Sequence, residues 1–306
     1  MSTVRPDVTT VIATRGRPQL LRRAVRAALE QQYAGGIEVM VVFDQVEIDQ
    51  LADVAVPAGR TLRTVPNTRT PGLAGGRNTG IVAATGELVA FCDDDDEWLP
   101  GKLEAQVAAW TADPGASLVA TGIRIESPGG SHVRLPPVRA TFSDFLDSRI
   151  TEIHPSSFLV RRDALLGPIG LVDEALPASY GEDYDLLLRA ARTGHVLSVV
   201  EPLLVVNWNR ASFFSGKWEG IAAGLAYVLA KFPEFAATPR GSARIEGQVA
   251  FAYAALGRRA EARRWAIGAI RNDRRQLRAY AALAIAARLA PAATLVHLVN
   301  RRGRGL

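Results

Sequence analysis

The sequence holds one cysteine in 306 residues. Cys92 can form no intrachain disulfide, so no covalent staple is available within the chain. A long uninterrupted apolar run is missing as well. The opening stretch MSTVRPDVTTVIATRG lacks the apolar core of a secretory signal. Both absences favour the cytoplasm. The best spanning candidate, Tyr280–Val299, is rich in Ala, carries Arg288 near its middle and is broken by Pro291. An Arg at mid-bilayer costs about 2.5–3.5 kcal/mol on insertion scales, and Ala offsets little of it. No span is expected, and peripheral contact at the inner face of a membrane is the weaker form still allowed. Familiar ligand motifs are absent too. No Gly-Lys-Ser/Thr follows the Gly-rich GLAGGRNTG, and its glycines are misplaced for a dinucleotide fingerprint. The aspartates Asp93–Asp96 lack the Gly and distal Glu of an EF-hand loop.

What is present is a globular composition, 48% hydrophobic and 22% charged, with an uneven distribution of charge. Residues 257–306 carry twelve Arg against Glu261 and Asp273, a net of +10. The total of 36 basic and 31 acidic residues leaves −5 on the first 256. An acidic front and a basic tail predict two parts with different tasks: a domain over 1–210 and a helical, basic subdomain over 211–306.

Apolar periodicity in the front part alternates between strand and helix. Val8–Ala13 reads as a buried strand, and TRGRP turns the chain into a helix that starts at Pro18. Ile37–Phe43 is a second strand, ending at Asp44. This strand–helix–strand unit predicts an α/β fold with a mostly parallel central sheet. A short helix is expected over Glu47–Val54, and a strand over Leu62–Val65. A helix should follow the Gly-rich loop, and a strand should span Leu88–Cys92. Later strands are expected over Ser117–Ile125, Ser157–Val160, Val196–Val200 and Leu203–Val206. A helix is expected from Glu182 to Gly194. Beyond Trp208 only helices are expected, at Lys217–Lys231, Ala243–Leu256, Arg259–Ile270 and Gln276–Leu289. GQVAFAYAALGRRAEARRWAIGAI is similar to one tetratricopeptide-type hairpin, but a stacked array needs about three copies.

The candidate chemistry lies where strands end, because open α/β sheets bind ligands at that edge. CDDDDEW follows a strand. Asp93 and Asp95 have the Asp-x-Asp spacing, with Asp96 beside them. Mg²⁺ is held by one or two carboxylates plus substrate phosphates, so this run suits a metal-bound diphosphate. A solvated acidic turn is the bland alternative. Thr14 and Arg15 follow the first strand and Asp44 the second. A carboxylate at Asp44 can accept an N–H from a nucleobase, or simply close a turn. Arg77, at the start of a helix, can pair with a diphosphate, or be a surface Arg after a Gly-rich turn. Glu182 and Asp183 sit at a helix N-terminus, as capping carboxylates or as a general base and its neighbour.

In combination, VIATRGRPQLLRRAV, GGRNTGIVAATGELVAFCDDDDEWLPGKLE and GEDYDLLLRAA closely resemble the family-2 glycosyltransferases of the GT-A fold, over about residues 8–207. The resemblance implies a Rossmann-like GT-A domain and inverting transfer of a sugar from a nucleotide-diphosphate sugar to an acceptor hydroxyl. It implies Mg²⁺ or Mn²⁺ at Asp93, Asp95 and Asp96, with Asp95 as the preferred direct ligand. It implies a nucleotide site at Thr14, Arg15, Asp44, Arg77, Asp93 and Asp95. Asp183 matches the catalytic base, supported by Glu182. Trp98 matches an aromatic beside the sugar, or is a core Trp. His154 and Ser156 match the acceptor or sugar pocket, with a His packed before Pro155 as the alternative. Gln45 stands where many members carry a second acid, so the nucleotide is less defined; Asp44 slightly favours UDP or dTDP.

The implied role is in cell-surface polysaccharide or glycoconjugate synthesis, with a lipid-linked glycan as a candidate acceptor. Rival readings are a haloacid dehalogenase-like phosphatase, a sugar-nucleotidyltransferase and a non-catalytic nucleotide-sugar-binding protein. For the tail, docking on anionic lipid, self-association into a homo-oligomer and a lid over the acceptor are the alternatives. Nucleic acid is not expected, because aromatics are not interleaved with the Arg residues.

Overall fold

The computed structural model describes residues 5–208, 217–289 and 291. The chain order is β1 (Val8–Thr14), α1 (Pro18–Leu29), β2 (Ile37–Phe43), β3 (Arg60–Pro66), α2 (Leu73–Ala83), β4 (Leu88–Phe91), β5 (Glu97–Trp98) and α3 (Lys102–Ala112). There follow β6 (Ala116–Ser127), β7 (Gly130–Arg134), β8 (Arg139–Ala140), α4 (Phe142–Asp147), β9 (Leu159–Arg161), α5 (Arg162–Leu166), α6 (Glu182–Thr193) and β10 (His195–Asn207). Four helices close the described chain: α7 (Trp218–Lys231), α8 (Pro239–Ala255), α9 (Arg259–Asn272) and α10 (Leu277–Ala286).

The strands form one sheet in the order β3-β2-β1-β4-β9-β6-β10-β5, with β7 beside β6 and β8 beside β10. β1, β2, β3 and β4 run parallel, as do β6 and β10. The short β9 is antiparallel to both β4 and β6, and so joins the two parallel blocks. This is the mixed α/β, mostly parallel architecture expected. β2 is buried along its whole length, as a continuous apolar run between two covered faces should be. α1 covers the sheet with Leu21, Ala24, Val25, Ala28 and Leu29, the helical stripe of its sequence.

Three expectations are corrected. Residues 47–54 form no helix. Leu51 has φ 51°, in the left-handed region, and its N–H donates to Asp49 Oδ1 at 2.9 Å. Arg22 on α1 then holds both Asp49 and Asp53, fixing a turn instead of a helix. The two late strands, Val196–Val200 and Leu203–Val206, are one: β10 runs through, with its register against β6 shifting around Pro202. Gly122 on β6 makes room for that irregularity, since a Cβ there would lie 2.9 Å from the Glu201 carbonyl oxygen. The expected strand at Ser157–Val160 starts later, because Pro155–Ser157 is a 3₁₀ turn.

The chain divides into two compact units. The first comprises residues 1–145, 150–174 and 183–210; the second comprises 146–149, 175–182 and 211–306. The core of the second is made of small residues: Ala250, Ala254, Ala262, Ala266, Ala269, Ala279, Ala282 and Ala286, with Phe251. Gly257, at φ 75°, supplies the left-handed residue between α8 and α9, and Arg258 N–H returns to the Tyr253 carbonyl at 2.9 Å. Among the described residues no helix is long and apolar enough to cross a membrane. Most of the second half of Tyr280–Val299 lies outside them.

Candidate functional site

Register places the site. Thr14 pairs with Phe43, and Val11 pairs with Phe91. Counting onward from Val11 and Phe91 sets Asp94 level with Thr14. Asp44 follows immediately on the other side. The ends of β1, β2 and β4 therefore bring their polar residues to one edge.

Each of the four aspartates has its own partners. Asp94 is buried and accepts from Thr14 Oγ1 at 2.6 Å and from Arg17 at 3.0 Å. Arg17 also binds Asp95, which is partly exposed. Asp93 accepts from Arg77 at 2.7 Å. Arg77 is 2% exposed, and its guanidinium lies 5.3 Å from the centre of the Phe91 ring. Asp96 is buried and accepts from Ser156 Oγ at 2.6 Å. That same hydroxyl accepts the Asp93 N–H at 3.0 Å, tying the two ends of the run together. His154 Nδ1 lies 3.5 Å from Asp96 Oδ2.

The electrostatics follow from this crowding. Burial, then the charges of Asp93 and Asp95, push the Asp96 carboxyl well above the ordinary range, against the Ser156 hydrogen bond. Burial and the Asp93 charge push Asp95 up to about 6, with Arg17 opposing. Asp94 is also raised by burial, against Thr14 and Arg17. Ligand atoms of Asp93, Asp96 and His154 lie within 4.8 Å of one another. Two carboxylates and an imidazole at that spacing form a donor set for a divalent cation, and added positive charge would relieve the repulsion that raises Asp96.

Asp44 has a separate network. Its oxygens accept from Asn67 Nδ2 at 2.8 Å, from the Gly72 N–H at 3.1 Å and from Gln45 Nε2 at 3.2 Å. Asn67 in turn accepts from Thr79 and from the Arg69 N–H, so the loop before α2 is braced. Glu174 braces its other side, accepting from Arg69, Thr70 and Asn78. Burial would raise the Glu174 carboxyl, but those hydrogen bonds outweigh it and hold it at about 2. Gly75 is required there, since a Cβ would collide with the Thr70 carbonyl oxygen at 1.8 Å.

The remaining sequence candidates are placed as follows. The Arg15 side chain is exposed, and its backbone N–H donates to Asp94. Trp98 is buried, with its indole N–H on the Ser156 carbonyl at 2.8 Å. Lys102 lies beneath it, Nζ 3.9 Å from the ring centre and bonded to Gln106. Burial pushes that amine down to about 7. Glu182 and Asp183 open α6, Glu182 buried and Asp183 partly exposed. Sequence reading did not single out Arg17, Asp94, Asn67, Glu174 or Asn207. Asn207, the last residue of β10, donates to the Asp95 carbonyl at 2.8 Å and steadies the turn. Arg17 in TRGRP and the second Asp of the run were the available signals.

Comparison with known proteins accords with this geometry. The sequence model of glycosyl transferase family 2 matches residues 9–166. The succinoglycan biosynthesis protein ExoO of Rhizobium meliloti (strain 1021) is 30% identical over 204 residues, 62% of this chain and 57% of that protein. The chain spans about half the length of the curated relatives it matches. Among solved structures, S. aureus TarS 1-349 in complex with UDP-GlcNAc aligns with a TM-score of 0.59 and 16% identity, over 97% of this chain and 92% of that one. The mannosyltransferase PcManGT from Pyrobaculum calidifontis, in complex with GDP-Man and Mn²⁺, aligns with a TM-score of 0.55 and 21% identity, over 98% and 81%. Both likenesses concern the fold.

Proposed function

Because the chain belongs to glycosyl transferase family 2, we propose that it moves a sugar from a nucleotide-diphosphate sugar to an acceptor hydroxyl. The observation that carries this reading is the aspartate turn at the sheet edge, where Asp93, Asp96 and His154 converge between two arginines. Those three residues would hold Mg²⁺ or Mn²⁺, with Asp96 in place of Asp95 as the direct ligand, because it is Asp96 whose oxygen lies with those of Asp93 and the His154 nitrogen. A bound cation would supply positive charge to the diphosphate leaving group. The two arginines divide the remaining work. Arg77 is too buried to reach a ligand, and fixes Asp93. Arg17, partly exposed, is the guanidinium available to the diphosphate. Thr14 and the Arg15 N–H hold Asp94, and Ser156 locks Asp93 to Asp96.

Asp44, held in a braced loop, offers the acceptor for a nucleobase N–H, which favours UDP or dTDP. Asp183 takes the proton of the acceptor hydroxyl, supported by Glu182, and a single in-line displacement gives inversion. Trp98 supports this site from the core through Ser156. ExoO is named for succinoglycan biosynthesis, which favours a polysaccharide or glycoconjugate product; WfgD of Escherichia coli, 32% identical over 85 residues, is named for transfer to a GlcNAc-diphosphoundecaprenol, which favours a lipid-linked acceptor.

The test is to incubate the full chain with Mn²⁺ or Mg²⁺ and a panel of nucleotide sugars, and to measure nucleotide release. One donor should be cleaved, and EDTA should stop it. A protein inert to every donor, with and without candidate acceptors, would count against transfer. Asp183→Asn should lower turnover by roughly 10²-fold or more while the donor still binds; wild-type turnover would remove Asp183 as the base.

A further inference from the structure

Among the described residues, α9 and α10 each have a side that packing leaves exposed. On α9 the buried Ala262, Ala266 and Ala269 set Arg264, Ile267 and Arg271 on the opposite side, all exposed. On α10 the buried Ala279, Ala282 and Ala286 set Leu277 and Tyr280 outward. Leu277 is 78% exposed, Tyr280 45%, and Leu289 just beyond the helix 81%. Exposed Arg274 and Arg275 precede this apolar stripe, and exposed Arg288 stands just before its last member, Leu289. Arg258 is bonded to Glu219 at 2.7 Å. By contrast, Arg264, Arg271, Arg274, Arg275 and Arg288 take part in no ion pair among the described residues.

We propose that these exposed sides, with Ile267, Leu277, Tyr280 and Leu289, together form a landing surface for an anionic lipid bilayer. Charge selects the occupant. A second copy of the chain would bring the same arginines against these and meet repulsion. A nucleic acid would satisfy the arginines but leave Leu277 and Leu289 in water. An anionic bilayer takes both. Its phosphates accept from guanidinium groups, and its headgroup–acyl boundary takes Leu side chains and the amphipathic Tyr ring. This inference goes beyond the proposed sugar transfer and does not rest on it.

The test is flotation of the full chain with phosphatidylcholine vesicles, with and without phosphatidylglycerol, at low and high salt. Binding should require phosphatidylglycerol and weaken with salt. The double change Leu277→Glu with Tyr280→Glu, and separately Arg271→Gln with Arg274→Gln and Arg275→Gln, should each lower partitioning by roughly tenfold or more. Circular dichroism melts establish that each variant is folded, and Leu277→Ser is the milder replacement if the first is not. Nucleotide release from a soluble donor should be the same in all of them. No binding, equal binding to neutral vesicles, or a folded Leu277 variant that binds as wild type would overturn the proposal. So would binding of an RNA or DNA oligonucleotide that excludes the vesicles, or a shift to dimer that depends on Leu277.

Discussion

At Asp93–Asp96 four negative charges are crowded into consecutive positions, and each is met by a group from elsewhere in the unit: Arg77, Thr14, Arg17 and Ser156. Across α9, α10 and their flanks the arginines are spaced along the surface, and the five named above take part in no ion pair among the described residues. The first arrangement is an internal structure whose partners are part of the fold. The second is a set of charges with no ion-pair partner among the described residues. Grouped charge therefore has opposite meanings for stability in the two places. Removing a partner from the first should cost folding free energy; removing a charge from the second should cost almost none.

Three measurements sharpen this contrast. The largest effect is expected from Arg77→Met. It strips Asp93 of its guanidinium inside the unit, and breaking one side of a buried pair costs about 3–5 kcal/mol. Because Asp93 is partly exposed, the loss in a denaturant titration should fall at the lower end. A change under 1 kcal/mol, on the order of a surface pair, would mean that Arg77 is not the support of Asp93.

The second effect is proton-coupled. The folded-state values of Asp95 and Asp96 are raised, so the cation-free protein prefers them protonated. Its stability should fall as pH rises from the ordinary carboxylate range toward and beyond the Asp95 value of about 6. A divalent cation needs the deprotonated forms. The rise in Tm on adding Mn²⁺ should thus be larger at about pH 8 than at about pH 5. Equal rises would place the cation elsewhere. The smallest effect is expected from Arg264→Gln and Arg271→Gln, which should each leave stability within about 0.5 kcal/mol. A larger loss would show that these arginines are paired after all.

Much of the sheet was legible because its strands are contiguous apolar runs closed by Gly, Pro or Asp. Ile37–Phe43 is the plainest case, with bounds identical in sequence and structure. The helix expected over Glu47–Val54 was not legible as a turn, because what prevents it is Arg22, more than twenty residues away on α1. The candidate site divides in the same way. That Asp93–Asp96 would lie at a strand end could be read from Leu88–Phe91. Which aspartate faces which partner could not, since that follows from strand register and from Ser156 and His154, about sixty residues on. Arg17 escaped notice because Arg15 stands nearer the strand. Only the turn at Gly16, with φ 74°, directs the later Arg to the aspartates.

Cys92 turns this arrangement into a clock. The thiol is fully buried just before the aspartates, its proton held by burial well above the ordinary range, and it is directed at the carbonyls of Asp93 and Asp96. A thiolate is the reactive form, so a thiol reagent can act only when this turn opens. With no other cysteine in the chain, the rate of modification is a single-site readout of that opening. A ligand that completes the acidic turn will slow it in proportion to how tightly it binds.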